Sequence, residues 1–425
     1  MPDEGTLTSP RSDSDVRQKA RRRSGLVSST SSSRRQSRRY SVESSSGHAA
    51  KLLPNGLHGR RHQEPAWAVW NDCIVLVGGL NLSRAEGAKV MQDPADPWAQ
   101  EVCQGSHQST VFNMSDQSVR NGPDVPIRNN HGMGAMSSDG HMHVLVLESY
   151  LLAAENEKAW LRHFVWDFAG GGSAWEVRAQ LHGPRGAGRC EFVRELMYCF
   201  GGSTKATSGT IADLHIYNPA TDKWTAGAPL PAPMDHLGSA VFANKIWITS
   251  GRFYMDSPLP DKPPKAVSSS SSYVYDPSAN LWTSIEPLPY RRSSAALTVI
   301  KRTGKRPTLM AVGGQENFGI YSGTIFSMIE EYDFEENDWY CHDTHLPQGV
   351  FGAAIGEWHG KVYIVGGADG FYISAVDRVI VLDIEALSGG MPCLYKDRAQ
   401  KDWWLQYNTG AMARFPYRKH FLRDD

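Results

Sequence analysis

The stretch IYNPATDKW (Ile216–Trp224) returns as VYDPSANLW (Val274–Trp282) and again as EYDFEENDW (Glu331–Trp339), with the Tyr and the Trp seven residues apart each time. Three equal gaps mark a repeat, and an array has to be recognised before any single site is read. A second element fixes the register: apolar runs ending on small residues, in CIVLVGG, LMYCFGG, IWITSG, LMAVGG and VYIVGG. The last of these sits in GKVYIVGGADG (Gly360–Gly370). The final glycines, Gly79, Gly202, Gly251, Gly314 and Gly367, are separated by 123, 49, 63 and 53 residues. Because the first gap is about twice the others, a degenerate copy is expected near residue 146, where GHMHVLVLES keeps the apolar run without the glycines. Weaker echoes of the Tyr–Trp element are VWDFAGGGSAW ending at Trp175, QDPADPW ending at Trp98, and VLDIEAL near Asp383, whose Trp403 and Trp404 come late.

Each copy reads as four short strands. Strand a is apolar and rich in small residues (GSAVFA, SSAALTVI, FGAAIGEW), b runs into the glycines, c carries the Tyr and d begins at the Trp. The a-to-b turns, ANK after Phe242 and HGK after Trp358, are short enough for hairpins. A four-stranded sheet of this size cannot bury both faces alone, so the copies are expected to stack around an axis as an all-β, six-bladed propeller.

Apolar strand, Gly-Gly, then Tyr and Trp seven apart resembles the kelch repeat, and the resemblance covers about residues 60 to 407. Copies three to six match well, whereas one and two are degenerate. The resemblance implies that Gly78, Gly79, Gly201, Gly202, Gly251, Gly313, Gly314, Gly366 and Gly367 turn the chain tightly, and that Tyr217, Trp224, Tyr275, Trp282, Tyr332 and Trp339 pack between strands and blades. The expected organisation is a tail over 1–54, a kelch-like propeller over 55–410, and a C-terminal tail or ring-closing segment over 411–425. The ending ARFPYRKHFLRDD could begin a seventh copy, clasp the ring near blade one or lie across a face.

The overall charge of −1 conceals an asymmetry. Residues 1–51 hold 11 Lys and Arg against 5 acids, or +6, so the remainder carries 33 against 40, or −7. A mildly acidic body offers no electrostatic footprint for nucleic acid. The tail has almost nothing to bury and is expected to be disordered. Its arginines precede Ser24, Ser37 and Ser41, as in substrates of basophilic kinases, and phosphorylation there would turn the tail towards neutral.

The six cysteines are widely spread with no CxxC pair, so reduced thiols and no metal are expected. The first 25 residues lack the apolar core of a signal peptide, acids at Asp3, Glu4, Asp13 and Asp15 disfavour a mitochondrial presequence, and no apolar run is long enough to span a bilayer. The expectation is a soluble protein of the cytoplasm or nucleus; the sequence sets no oligomeric state.

Strand alternation brings the b-to-c and d-to-a connections to one face. The long b-to-c segments (252–272 and 315–327) mark it as the binding face. The d-to-a junctions contribute His62, His131, Arg185, Arg189, Asp235, His236, Arg291 and Arg292, an expected basic and imidazole rim able to grip a carboxylate, a sulfate or an acidic peptide. The Gly-Gly pairs precede no helix, and neither GxGxxG, GxxxxGK[ST] nor GxSxG occurs in the required context, so no cofactor is expected.

Related propellers include copper-radical oxidases, whose two His, two Tyr and Cys find no match here. Others are sialic-acid epimerases, for which no Glu or His pair stands out. The function expected is therefore protein–protein interaction, as a scaffold or substrate adaptor, rather than catalysis. The alternative is a carbohydrate- or small-molecule-acting enzyme of the epimerase or oxidase type. BTB and F-box segments have no counterpart in the 54 residues before the array, so a recruiting part is expected on another chain.

Overall fold

Strand b decides each blade. CIVLV, HMHVLV, LMYCF, KIWIT, TLMAV and KVYIV are all buried beyond their first residue, as unbroken apolar runs must be when both faces of a sheet are covered. The computed structural model describes residues 49–393 apart from 94, 148–160, 182, 206–207, 256–264, 320–321, 371–372 and 388–389.

Six antiparallel sheets follow. Blade one is Ala66–Trp70, Cys73–Val77, Ser109–Asn113 and Val119–Asn121. Blade two is Met133–Met136, His141–Val146, Leu161–Asp167 and Glu176–Leu181. Blade three is Arg189–Val193, Leu196–Phe200, Leu214–Asn218 and Lys223–Ala226, and blade four is Gly238–Phe242, Lys245–Thr249, Tyr273–Asp276 and Leu281–Ser284. Blade five has Ala296–Ile300, Thr308–Val312, Ile329–Asp333 and Asp338–Cys341, and blade six has Ala354–Trp358, Lys361–Val365 and Val379–Asp383. The a strands neighbour one another in a closed circuit, which makes the molecule a six-bladed propeller.

The ring closes through the end of the segment 1–54 expected to be a tail. Ala50–Leu52 pairs antiparallel with Val379–Asp383 and supplies the outer strand of blade six, with Ala50 opposite Leu382. The fourth strand of that blade thus comes from the other end of the array, so the ring is locked by main-chain bonds between distant parts of the chain. Met391–Pro392 instead adds a fifth strand to blade five. The segment 413–425, Trp403 and Trp404, and Ser24, Ser37 and Ser41 lie outside the described residues.

The Tyr and Trp of copies three to five face each other as register partners of strands c and d, Tyr217 with Trp224, Tyr275 with Trp282 and Tyr332 with Trp339. Their ring centroids lie 5.0, 4.8 and 5.3 Å apart. Each indole N–H reaches back one blade, from Trp224 to the carbonyl of Ala179 (2.8 Å), from Trp282 to Ala228 (2.9 Å) and from Trp339 to Glu286 (2.9 Å). Trp175 does the same to Pro123 at 2.9 Å, so blade two keeps the clamp without the Tyr spacing. Trp98 does not: it stands half-exposed on a helix (Pro97–Val102, α2) within the b-to-c connection of blade one and is no echo of the motif.

The glycine pairs link neighbouring blades. Gly367 has φ +86°, its N–H donates to the His62 carbonyl at 2.7 Å, and a Cβ would stand 2.7 Å from the Phe351 carbonyl oxygen. Only glycine tolerates both that conformation and that approach. The second glycines Gly79, Gly202, Gly251 and Gly314 donate in the same way to Asn129, Met234, Arg292 and Val350 of the next blade.

The reduced-thiol expectation is corrected. Cys190 and Cys199, direct cross-strand partners in blade three, form a disulfide, and Cys341–Cys393 ties the added fifth strand to blade five. Spacing along the sequence could not reveal either pair, because the first depends on strand register and the second on a late return of the chain. Cys73 and Cys103 are free thiols.

Candidate functional site

Two residues before each a strand, the backbone takes up a left-handed conformation: Glu64 (φ 52°), His131 (58°), Ala187 (56°), His236 (52°), Ser294 (54°) and Gly352 (60°). These six positions, one per blade, are joined head to tail. Ala187 N–H donates to the His131 carbonyl (2.8 Å), His236 to Ala187 (2.7 Å), Ser294 to His236 (2.7 Å), Gly352 to Ser294 (3.1 Å), Glu64 to Gly352 (2.9 Å) and His131 to Glu64 (3.1 Å). The result is a closed circuit of six backbone hydrogen bonds around the propeller axis. The strained conformation persists because each N–H and carbonyl is held from both sides.

Four of the six side chains then meet. Nε2 of His131 lies 2.6 Å from Glu64 Oε2, Nε2 of His236 lies 3.3 Å from Oε1, and the Ser294 hydroxyl donates to Oε1 at 3.0 Å. The imidazoles pack edge to face with centroids 5.0 Å apart. Gly352 makes room for the carboxylate, since a Cβ there would be 2.4 Å from Glu64 Cγ. The side chains of Glu64, His131 and His236 are 10, 8 and 4 % exposed.

The residue preceding each histidine fixes its ring: Nδ1 of His131 is 2.7 Å from Asn130 Oδ1, and Nδ1 of His236 is 2.7 Å from Asp235 Oδ1. Asp235 also bridges Arg252 through the main chain, and Arg252 Nε donates to Asp235 Oδ1 at 2.9 Å while its Nη2 lies 3.3 Å from His236 Nε2. Asp235 Oδ2 is buried and finds no hydrogen-bond partner among the described residues.

Burial by itself would raise the Glu64 pKa, but the facing His131 and His236 and the nearby Arg252 hold it far below the usual carboxylate range. Burial and Arg252 lower that of His236 against the pull of Glu64 and Asp235. Arg252 and Glu64 thus place opposite charges in a largely buried centre in which the carboxylate stays ionised. The cavity here has a volume of ≈ 60 Å³ and is also lined by Trp67, Arg189 and Ser239. The Arg189 guanidinium lies 4.3 Å over the Trp67 ring and its Nε donates to Ser239 Oγ at 3.2 Å.

Of the eight rim residues read from sequence, His131, Asp235, His236 and Arg189 come together here. The others do not. His62 is fully buried between the Gly78 carbonyl and the Thr110 hydroxyl, at 2.8 Å each, and burial lowers its pKa to about 4. Arg185 is buried against the Cys199 carbonyl (3.2 Å) and His215 Nδ1 (3.0 Å). Arg292 makes a two-pronged pair with Glu330, at 2.9 and 2.5 Å, with both side chains essentially unexposed. These three are internal ties, not rim groups. Arg291 stays partly exposed and pairs with Glu316 at 2.5 Å.

Sequence reasoning missed Glu64, Ser294 and Arg252. Lining up the six copies by the second residue before strand a would have put Glu64 and Ser294 in one column with the histidines, but the degenerate first copy hid Glu64.

The same face carries three hairpins that spring from the ring. Ser203–Lys205 pairs with Ser208–Thr210, Arg252–Met255 with Lys265–Ser268, and Gln315–Gly319 with Ser322–Ile325. Their first residues bridge Gly186, Asp235 and Ser293, each next to a ring position. Ser208–Thr210 lies beside Arg252–Met255, and Lys265–Ser268 beside Gln315–Gly319, so the three form a row over blades three to five. Over blade one stands a helix, Arg84–Gln92 (α1), whose Ser83 and Glu86 make a reciprocal cap. It packs with α2 against Ile373 of blade six.

Comparison with known proteins agrees with this architecture. The kelch motif model matches residues 184–231, the span of blade three. Kelch-like protein terF of Aspergillus terreus is 25 % identical over 201 residues, covering 45 % of this chain and 40 % of the relative. Alpha-scruin of Limulus polyphemus is 26 % identical over 151 residues, or 36 % of this chain and 15 % of the relative. An N-acetylneuraminate epimerase of Shigella sonnei is 24 % identical over 278 residues, 58 % of this chain and 70 % of that protein. The matched region thus spans less than half the length of the first two relatives. With six four-stranded blades, inter-blade glycine links and Tyr–Trp clamps, the chain is a six-bladed β-propeller whose repeats are similar to the kelch motif.

Proposed function

We propose that the propeller is a protein-interaction scaffold whose partner docks on the row of hairpins over blades three to five. The observation that carries this reading is the row itself. These are connections that ring closure does not need, drawn out on three consecutive blades and set side by side on one face. Extended excursions on a rigid array are where recognition is usually built. Kelch-like relatives support a binding role over a catalytic one. The basic tail tunes such contacts through phosphorylation of Ser24, Ser37 and Ser41, and the chain works in the cytoplasm or nucleus.

The epimerase relative supports a second reading, with Glu64 and the two histidines as acid–base groups. Size weighs against it. A cavity of ≈ 60 Å³ is well below the roughly 300–1,000 Å³ of small-molecule sites.

The test changes exposed charge on each face. Lys265→Glu with Thr324→Glu alters the hairpin row, while Glu195→Lys with Lys301→Glu alters the a-to-b turns opposite. Partners captured by the wild-type chain should be lost with the first pair and kept with the second; the reverse pattern refutes the docking face, and turnover of sugar substrates by the wild-type chain refutes the scaffold reading.

A further inference from the structure

The axial cluster has the build of a metal site, and this holds whatever docks on the hairpins. Three features carry the inference. The first is donor direction. Both imidazoles have Nδ1 anchored on an oxygen of the preceding side chain, Asn130 or Asp235, at 2.7 Å, which turns both Nε2 atoms towards Glu64. Metal-binding histidines are oriented by this kind of outer hydrogen bond. The second is convergence. One donor atom from each of Glu64, His131 and His236 lies within 4.8 Å of the other two. Two imidazoles and one carboxylate, with room for a further ligand, is a donor set that suits zinc. The third is space and rigidity. The cavity of ≈ 60 Å³ holds an ion with a few waters. The three donors also stand on positions locked by the circuit of backbone hydrogen bonds, so little ordering remains to be done on binding.

We propose that Glu64, His131 and His236 bind one divalent transition-metal ion of the zinc type on the propeller axis. Ser294 steadies the carboxylate through its hydrogen bond to Oε1, and Asn130 and Asp235 act as positioning residues for the two rings. Arg252 opposes the ion. Its Nη2 lies 3.3 Å from His236 Nε2 and competes for the lone pair that a metal needs.

The test uses the full chain, prepared without a polyhistidine tag and stripped with chelator, titrated with Co²⁺ by visible absorption and then with competing Zn²⁺. Saturation at one equivalent is expected. Glu64→Gln, His131→Ala and His236→Ala should each weaken binding at least tenfold, whereas His359→Ala, remote from the axis, should leave it unchanged. Arg252→Gln should tighten binding several-fold, a direction that mere loss of structure would not produce. X-ray absorption of the zinc-loaded wild-type chain should show imidazole ligands, a reading that stands even where a variant does not fold. Absence of a saturating cobalt spectrum, affinity of His131→Ala within threefold of wild type, or a zinc shell without imidazole would each overturn the proposal.

Discussion

The outer edge of the propeller and its axis are built from the same repeat, yet they use it in opposite ways. At the outer edge the side chains repeat: three blades present Tyr facing Trp, and four indoles donate to a carbonyl of the previous blade. At the axis the backbone repeats and the side chains do not. Glu, His, Ala, His, Ser and Gly occupy one left-handed position in six blades, joined by one pattern of hydrogen bonds. The difference shows where the fold leaves freedom. When stability is carried by side chains the residue type is constrained; when main chain carries it, the side chain is released for chemistry.

The largest effects should come from breaking side-chain ties. Trp339 is fully buried in the blade core, and Trp339→Ala should cost about 3–5 kcal/mol through lost packing and the cavity left behind. Arg292→Ala should cost a similar amount, about 3–5 kcal/mol, because it strands Glu330 as an uncompensated buried charge. Urea midpoints check both. An Arg292→Ala protein of wild-type stability would return that residue to the binding rim.

Next in size is the strap on blade five. Replacing both Cys341 and Cys393 by Ser should destabilise by about 2–4 kcal/mol, since the bond closes a segment with a sequence separation of 52. Alkylation with mass spectrometry reads the same feature in the cell. A chain with both disulfides exposes only Cys73 and Cys103 to the reagent after unfolding, and a chain held reduced in the cytoplasm exposes all six cysteines.

Acid should act on the blades before it acts on the carboxylates. His62 and His163 are buried and their pKa values are lowered from 6.5 to about 4, with burial the leading cause for both. His163 sits 3.0 Å from His143 at the interface of blades two and three. Between pH 6.5 and 4 the unfolded chain binds protons that the folded chain refuses, so stability falls as pH falls through that window, by up to about 1.4 kcal/mol per pH unit for each imidazole. Glu331, held at about 2 by its bonds to Arg302 and His342 against the effect of burial, keeps its charge until far lower pH. His163→Gln should flatten part of the slope, as thermal melts at stepped pH would show.

What could be read from sequence follows the same division. The blade count was legible because the apolar run ending on small residues recurs five times and its one doubled gap exposes a sixth copy, while the Tyr–Trp spacing of three copies fixed the register. The ring closure by Ala50–Leu52 was hidden because an outer strand of three residues has no pattern of its own. Of the axial cluster, His131, Asp235, His236 and Arg189 were legible from their place in the d-to-a junctions. Glu64 is not legible because no repeated side chain marks its column, and His62, Arg185 and Arg292 read as rim residues because sequence position does not distinguish a buried polar tie from a surface group.

The smallest prediction tests the division itself. Ala187 occupies the axial position in blade three with φ 56°, its side chain adds no polar group to the site, and both its N–H and its carbonyl belong to the circuit. If the main chain carries the ring, Ala187→Gly should change stability by less than about 0.5 kcal/mol. Relief of the left-handed strain, on the order of 1 kcal/mol, then offsets the greater freedom of the unfolded glycine chain. Ala187→Val should cost about 1–2 kcal/mol, since a β-branched residue fits that conformation poorly. Ala187→Pro should cost more than either, because it removes the N–H that donates to His131 and imposes a negative φ. The order Gly, Val, Pro in urea midpoints would show that backbone geometry sets the axis. A Gly variant as damaged as the Val variant would mean that the Ala187 methyl group itself supports the ring, and the contrast between edge and axis would then be one of degree.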